Sequence, residues 1–132
     1  MLNNDDKLME ITVVLRSYND ADLLQLTLKY LDEQRGVKIN LIVFESASTD
    51  GSKEIIEQHG YSILQHLEPG TYHSSKVLNK GVELAETEYV AFVNSDAILL
   101  SDDVMLKLVN ALKKNIDVVA RLPGRLSERM RV

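Results

Sequence analysis

Short apolar segments alternate with amphipathic segments along this chain. Runs of three to five apolar or β-branched residues are typical of buried strands, whereas leucine or valine recurring every three or four positions indicates a helix. The apolar runs predict strands at residues 11–15, 41–44, 61–64, 89–93 and 118–120. The helical spacing predicts helices from about residue 23 to near Gly36, over 52–58 before Gly60, from 74 or 75, and from 102 or 103.

The last predicted helix has an apolar side of its own. Val104, Leu108 and Leu112 are spaced to share one face. Together with Met105, these leucines are interpreted as core or as a dimer face, because an apolar helix face that no second domain covers favours self-association.

Strands that alternate with helices predict an α/β fold of the three-layer, Rossmann-like kind, with a mainly parallel sheet covered on both faces. The predicted domain covers residues 9–120, after a flexible N-terminus at 1–8 and before a C-terminal tail at 121–132. Ligands of such sheets bind beyond the carboxyl ends of the strands. The residues that follow strands one, two and four are therefore expected to meet at one crevice.

The composition is that of one ordinary globular domain. The chain has 132 residues, of which 45% are hydrophobic and 27% charged, and it has no cysteine, which excludes disulfides and thiolate chemistry. No apolar run approaches the roughly 20 residues that span a bilayer. The polar N-terminus does not resemble a signal peptide. We therefore expect a cytoplasmic location, either free or peripheral at the inner face of the membrane.

The net charge of −5 is unevenly distributed, because residues 121–132 contain four arginines and one glutamate. An acidic body argues against nucleic acid as a partner, since nucleic-acid surfaces need clustered lysine and arginine. The basic tail could contact a membrane surface or a phosphate. A frayed or truncated terminus is the simpler interpretation, and the one we favour.

Polar side chains follow three of the predicted strands. These segments are Arg16–Asn19, Glu45–Asp50 and Asn94–Asp96. A nucleotide diphosphate needs groups of this kind, namely hydrogen-bond acceptors for a base, a ring against which the base packs, and carboxylates for a divalent ion. Asp96 is a hard oxygen ligand suited to Mg²⁺ or Mn²⁺. Any α/β domain has polar residues at strand ends, but three such segments together favour a binding site.

Other nucleotide-binding signatures are absent from the sequence. There is neither a Gly-x-Gly-x-x-Gly after the first strand nor a Gly-x4-Gly-Lys-Ser/Thr segment. A response-regulator fold would need an acidic pair after the first strand, where this chain has Arg16 and Ser17. No serine or histidine lies in a nucleophile-elbow pattern.

Taken together, the segments resemble the first half of family 2 glycosyltransferases with the A-type fold. Ser17-Tyr18-Asn19 is similar to the first motif of that family, and Ser48-Thr49-Asp50-Gly51-Ser52 to the second half of its Asp-Asp-Gly-Ser-Thr-Asp-Gly-Ser/Thr motif. Leu78-Asn79-Lys80-Gly81 is similar to its helical Asn-x-Gly motif. The version with Arg-Ser-Tyr-Asn looks closest to transferases of bacterial surface polysaccharides.

The resemblance implies roles for individual residues. Ser17 and Tyr18 would hold the base and ribose, Glu45 would accept the base N–H, and Asp96 would bind Mg²⁺ or Mn²⁺ on the diphosphate. Asn79 would lie near the donor sugar or its phosphates. The remaining residues that the resemblance assigns to substrate binding are Asn19, Ser48, Asn94 and Ser95. Because a carboxylate suits a pyrimidine N–H, UDP- or dTDP-sugars are the expected donors.

Two further residues near these motifs have expected interactions. Arg16 would pair either with a phosphate of the donor or with Glu45. Asp50 is expected to order its own turn rather than to contact a ligand.

The implied reaction is inverting transfer of the sugar to a hydroxyl of a glycan or lipid-linked acceptor in surface polysaccharide synthesis. The chain departs from the family at Glu45-Ser46-Ala47, which replaces Asp-Asp-Gly, and at Asn94, which replaces the first carboxylate of the metal motif. The general base and acceptor pocket of the family lie beyond the metal motif, so a truncated enzyme is expected. The alternative is a catalytically silent binding or assembly module. In either case the chain could form a homo-oligomer.

Overall fold

Each strand in the described part of the chain is followed by a helix. The computed structural model describes residues 8–114. Its elements are β1 (Met9–Ser17), α1 (Ala21–Asp32), β2 (Val37–Glu45), α2 (Ser52–His59), β3 (Ile63–His66), α3 (Ser74–Leu84), β4 (Tyr89–Asn94) and α4 (Val104–Lys114). The strands form one sheet in the order β3-β2-β1-β4, and every pair is parallel. This arrangement confirms the predicted α/β class.

The two faces of the sheet carry different helices, because successive side chains of a strand point to opposite faces. Ile11, Val13 and Leu15 of β1 pack in a core with buried residues of α1, α2 and α4. Val14 of β1 belongs to a second core on the opposite face, together with Val77 of α3. Helices on both faces of the sheet make the predicted three layers.

The predicted strands are confirmed in order, but their limits differ. β1 and β2 extend beyond the predicted apolar runs, because parallel pairing continues in register from Met9↔Val37 to Ser17↔Glu45. β3 begins at Ile63, two residues later than predicted. Gly60 has φ 97° and Ser62 lies in a bend, so the chain is still turning at that point. The predicted strand at 118–120 lies outside the described residues.

The interpretation of the α4 residues as core is confirmed for Met105 and wrong for Leu108, whereas the dimer-face alternative for Leu108 stays a prediction. Met105 and Val109 are buried, whereas Leu108 is 52% exposed. Gln34 determines this rotation, because its Nε2 donates to the carbonyl of Ser101 and its Oε1 accepts from the amide of Met105 at 3.0 Å. These bonds fix the start of α4 at a rotation that turns Met105 and Val109 to the sheet.

The described residues include no helix with the length and apolar character needed to cross a bilayer.

Gly81 brings α3 close to the sheet. A Cβ at this position would lie 2.8 and 2.9 Å from the two γ-carbons of Val14, which is closer than carbon atoms approach. Both residues are buried, and the branched Val14 side chain has few alternative rotamers. The absence of a side chain at Gly81 therefore sets the distance between α3 and β1.

We expect Gly81→Ala to destabilise the domain. Overpacking of a core costs about 1–3 kcal/mol, and the better helix propensity of alanine offsets up to about 1 kcal/mol of that. Urea unfolding monitored by circular dichroism measures the change. The control is the same substitution in a Val14→Ala background, where the clashing methyl groups are gone and the cost should vanish. An equal cost in both backgrounds would contradict the close-approach explanation.

Candidate functional site

The polar segments predicted to meet do lie at one edge of the sheet. β1 is paired with β2 up to Ser17↔Glu45 and with β4 up to Arg16↔Asn94, so the three strands end side by side. Consecutive residues of β1 point to opposite faces. Arg16 and Ser17 consequently begin two different constellations, one on the α3 side of the sheet and one on the side of α1 and α2.

On the side of α1 and α2, Glu45 is the centre of a buried network. Its side chain is only 1% exposed. One carboxylate oxygen accepts from the amide of Ser48 at 2.7 Å, and the other accepts from the hydroxyls of Ser48 at 2.7 Å and Ser17 at 3.2 Å. Buried carboxylates need such partners, because an unpaired charge in the interior is costly. Glu45 thus holds the ends of β1 and β2 together from within.

Asn19 and Ser48 connect the loop after β1 to the loop after β2. The amide of Asn19 donates to Ser48 Oγ, and Asn19 Oδ1 accepts from the amide of Thr49, both at 2.8 Å. Asn19 has φ 47°, a left-handed conformation that asparagine tolerates better than most residues. Both side chains, predicted to bind substrate, are therefore engaged in loop-to-loop hydrogen bonds.

Asp50 joins the same two loops a little farther out. One oxygen accepts from the amide and hydroxyl of Ser52 at 3.1 and 2.7 Å, so Asp50 orders its own turn as expected. The other oxygen accepts from the amide of Ala21 at 3.0 Å and so caps the first turn of α1. These bonds, first the one from Ala21 and then those from Ser52, lower the pKa of the Asp50 carboxyl below its ordinary value.

On the α3 side, the strand ends border an open cleft of about 350 Å³. Two tyrosines stand at it, Tyr18 at 51% and Tyr72 at 39% exposure. The Arg16 guanidinium carbon lies 4.5 Å from the centroid of the Tyr72 ring. The lining residues are Arg16, Tyr18, Ser46, Ala47, Glu68, Pro69, Gly70 and Tyr72. The cleft therefore offers aromatic rings together with one cation and one carboxylate.

The segment after β4 is divided between the two sides. Asn94 is exposed, and its Oδ1 accepts a long hydrogen bond of 3.5 Å from Arg16 Nε. Ser95 is buried, and its hydroxyl donates to Asp20 at 2.8 Å. Asp96 is exposed. Asn79 is half-buried within α3 and is not among the residues that line the cleft.

The described residues give a divalent ion only a partial set of ligands. Asp96 is the one carboxylate of the segment Asn94–Asp96, and the oxygen of Asn94 accepts from the Arg16 cation. Within residues 8–114, no three histidine or acidic side chains are grouped so that they could hold a metal. Mg²⁺ is commonly bound by one or two carboxylates plus the phosphates of a substrate. Asp96 alone therefore provides too few ligands for a divalent ion, which would need further oxygens from a bound molecule.

Sequence reasoning missed the contribution of the loop before α3. Tyr72 and Glu68 lie in that loop and reach the cleft because β3 runs beside β2, where the amide of Leu67 donates to the carbonyl of Glu45. It also missed Ser46, whose buried hydroxyl borders the cleft and has no hydrogen-bond partner in the described part of the chain. The apolar runs predict the strands, but not which loop lies over which strand end.

A parallel sheet between helices, with a polar cleft past its strand ends, is the α/β arrangement whose ligands bind beyond the carboxyl ends of the strands. The sequence model described as glycosyl transferase family 2 matches residues 12–129 of this chain. The chain therefore belongs to glycosyltransferase family 2, and the resemblance of its motifs is confirmed.

Similar sequences come from bacterial glycosyltransferases. The chain is 28% identical over 120 residues to the uncharacterized glycosyltransferase YibD of Escherichia coli (strain K12), and 27% identical over 121 residues to the amylovoran biosynthesis glycosyltransferase AmsB of Erwinia amylovora. These matches cover 89% and 88% of this chain but 34% and 38% of the relatives. The chain thus spans about a third of the length of the curated relatives it matches.

Solved structures of A-type glycosyltransferases share the fold. The structure of residues 1–349 of S. aureus TarS superposes with a TM-score of 0.68 at 22% identity, covering 80% of this chain and 33% of that structure. The mannosyltransferase PcManGT from Pyrobaculum calidifontis, solved with GDP-Man and Mn²⁺, superposes with a TM-score of 0.66 at 26% identity. That match covers 82% of this chain and 33% of PcManGT. The A-type fold predicted from the motifs is confirmed.

We expect Asp50→Asn to lower the urea midpoint of unfolding at pH 7, because an amide cannot accept all the bonds that the carboxylate accepts. Since the pKa of Asp50 is depressed in the folded state, its stabilising effect exists above the ordinary value of 3.8 and is lost as pH falls through the depressed pKa. The difference between variant and wild type should therefore shrink in acid.

Glu88→Gln is the control, because it removes an exposed carboxylate from the loop between α3 and β4, outside any helix. It should leave the midpoint nearly unchanged at every pH. A difference between Asp50→Asn and wild type that persists undiminished into acid would contradict the role of the ionised Asp50 as a cap.

Proposed function

We propose that this chain forms the nucleotide-sugar-binding part of an inverting glycosyltransferase that acts in surface polysaccharide synthesis. The observation that carries the proposal is the cleft at the ends of β1 and β2, with Tyr18 and Tyr72 exposed at it in a chain of family 2. Support for the pathway comes from relatives such as AmsB, an amylovoran biosynthesis enzyme. The acceptor would be a hydroxyl of a glycan or a lipid-linked glycan.

In this proposal the base of the nucleotide packs against Tyr18 and Tyr72. Tyr18 is 51% and Tyr72 39% exposed, and a planar base gains stacking energy against aromatic surface of this kind. Ser46 offers a buried hydroxyl without a partner at the edge of the same cleft, which can either donate or accept a hydrogen bond from the base or ribose.

In this proposal, the cleft is supported from beneath by four hydrogen-bonded residues, namely Glu45, Ser17, Asn19 and Ser48. The Glu45 carboxylate is buried and its two oxygens already accept from Ser17 and Ser48. Its geometry therefore gives no reason to prefer a pyrimidine base over a purine. Among structural neighbours, TarS has been solved with UDP and PcManGT with GDP-Man. We accordingly propose a nucleoside diphosphate sugar as the donor. Comparison of UDP and GDP in the titrations described below identifies its base.

Asp96 would bind the divalent ion, Mg²⁺ or Mn²⁺, that accompanies the diphosphate, with Asn94 and Ser95 shaping the same segment. Such an ion offsets negative charge on the diphosphate leaving group. Asp96 is exposed two residues after Asn94, which pairs with Arg16 at the end of β1. Inverting transfer requires a base that deprotonates the acceptor hydroxyl for in-line attack on the anomeric carbon. We assign that role to none of the described residues.

We expect Tyr18→Ala to weaken binding of a nucleoside diphosphate. Stacking of a base on an aromatic ring contributes about 1–3 kcal/mol, which corresponds to about a fivefold to hundredfold loss of affinity. Calorimetric titration of UDP and of GDP measures the loss. Tyr61→Ala is the control, because Tyr61 is exposed at 42% but borders a pocket at the opposite end of the sheet. Equal affinities for both variants would exclude Tyr18 from the base site.

We expect Asp96→Asn to remove most of the gain in affinity that Mn²⁺ gives to UDP or GDP binding. The amide is a neutral ligand, and a carboxylate attracts a divalent ion more strongly. Each nucleotide is titrated with Mn²⁺ and with EDTA, and Glu57→Gln on the exposed surface of α2 is the control. An undiminished gain in the Asp96 variant would place the ion elsewhere.

If the folded wild-type protein gives no binding signal with UDP, GDP or other nucleoside diphosphates in any condition, the proposed function is wrong. A binding or assembly module that keeps the fold without the chemistry would then be the better interpretation.

A further inference from the structure

Arg16 is the cation of the cleft. Among the described residues that line it, no other side chain is positively charged. The guanidinium carries five N–H donors. One of them, on Nε, makes the 3.5 Å bond to Asn94, and the structure gives no further hydrogen bond or ion pair to Arg16 within residues 8–114. The donors on the two terminal nitrogens are therefore open to a ligand.

The surroundings hold this guanidinium at the cleft. Tyr72 stacks on it with 4.5 Å between the guanidinium carbon and the ring centroid, and Asn94 fixes its Nε edge. Stacked and bonded in this way, the planar group loses little additional entropy when it binds an oxyanion with its free edge. Phosphate oxygens are the ligands that this planar array of donors matches.

The residue at position 94 determines whether the positive charge of Arg16 is neutralised. Asn94 is neutral, so the positive charge of Arg16 is not cancelled by the side chain that it contacts. A carboxylate at position 94 would form an ion pair with Arg16 and would compete with any anion for the same donors. The asparagine is a weaker metal ligand than a carboxylate, and it leaves Arg16 without an ion pair within residues 8–114.

We propose that Arg16 binds the diphosphate of the donor directly and supplies part of the positive charge that a divalent ion would otherwise provide. Donor binding by this chain is then reduced, but not abolished, when divalent ions are removed. The inference rests on the proposed function, because it concerns the same cleft and the same class of ligand. It adds a diphosphate-binding residue, and it predicts how binding depends on metal.

The test compares Arg16→Gln with wild type in EDTA, using calorimetric titration of UDP, GDP and inorganic pyrophosphate. Pyrophosphate has no base, so it reports the contribution of the phosphates alone. We expect Arg16→Gln to weaken binding of the preferred nucleotide by about tenfold or more, since hydrogen bonds to charged groups contribute about 1.5–3 kcal/mol. Pyrophosphate binding should be weakened by a similar factor.

Lys38→Gln is the matched control, because it removes one positive charge at the opposite end of β2, where Lys38 pairs with Glu10 at 3.6 Å. At physiological ionic strength this distant charge is screened, so binding should change by less than about twofold. Thermal unfolding and circular dichroism of each variant verify that the fold is retained.

Asn94→Asp provides an independent arm. The new carboxylate should pair with Arg16, weaken nucleotide binding in EDTA and increase the gain on adding Mn²⁺. A general loss of structure would weaken binding both in EDTA and in Mn²⁺. Weaker binding in EDTA together with a larger gain from Mn²⁺ would therefore be specific to the new carboxylate.

The outcomes separate this inference from the function on which it rests. If nucleotides bind wild type but Arg16→Gln binds equally well in EDTA, or if wild type binds nothing at all once EDTA is added, the role of Arg16 is wrong and the donor site stands. If no nucleoside diphosphate binds wild type with or without Mn²⁺, both proposals fail together.

Discussion

A single buried carboxylate holds the strand ends of this domain in place. Glu45 lies in the interior at 1% exposure, and burial there is tolerable only because Ser17 and Ser48 donate to it. The same bonds connect β1 to β2 and fix the start of the loop after β2. Asn19 and Asp50 then connect this loop to the start of α1. The strand ends beneath the cleft are therefore held in position by contacts of Glu45 on the opposite side of the sheet.

The hydrophobic pattern was sufficient for the fold but not for every orientation within it. Strands β1 and β2 are mostly buried apolar runs and β4 is a half-buried one, so their positions followed from the apolar pattern of the sequence. The rotation of α4 did not, because Met105 and Val109 face the core in a helix whose start is hydrogen-bonded to Gln34, two residues beyond the end of α1. A long-range polar contact of this kind leaves no periodic trace in the sequence.

The candidate site was predictable as an edge of the sheet, since parallel strands end together. Which residues face a ligand depends on the alternation of side chains at the last strand positions, and there Arg16 and Ser17 separate to opposite sides. Motif similarity grouped Ser17, Tyr18 and Glu45 as ligand contacts, whereas burial leaves only Tyr18 exposed. Tyr72 escaped notice because its position depends on the pairing of β3 with β2 and not on any motif.

The segment after β4 is fastened to α1 rather than left free beyond its strand. Ser95 donates to Asp20, and Thr27 Oγ1 lies 2.8 and 2.7 Å from the carbonyl oxygens of Ser95 and Ala97. Asp96 sits between these anchored residues. Any ligand that orders Asp96 must therefore also favour the docked position of α1, because binding to the native state alone stabilises every contact on which the site depends. Ligand binding at Asp96 and the packing of α1 against the sheet are therefore thermodynamically linked.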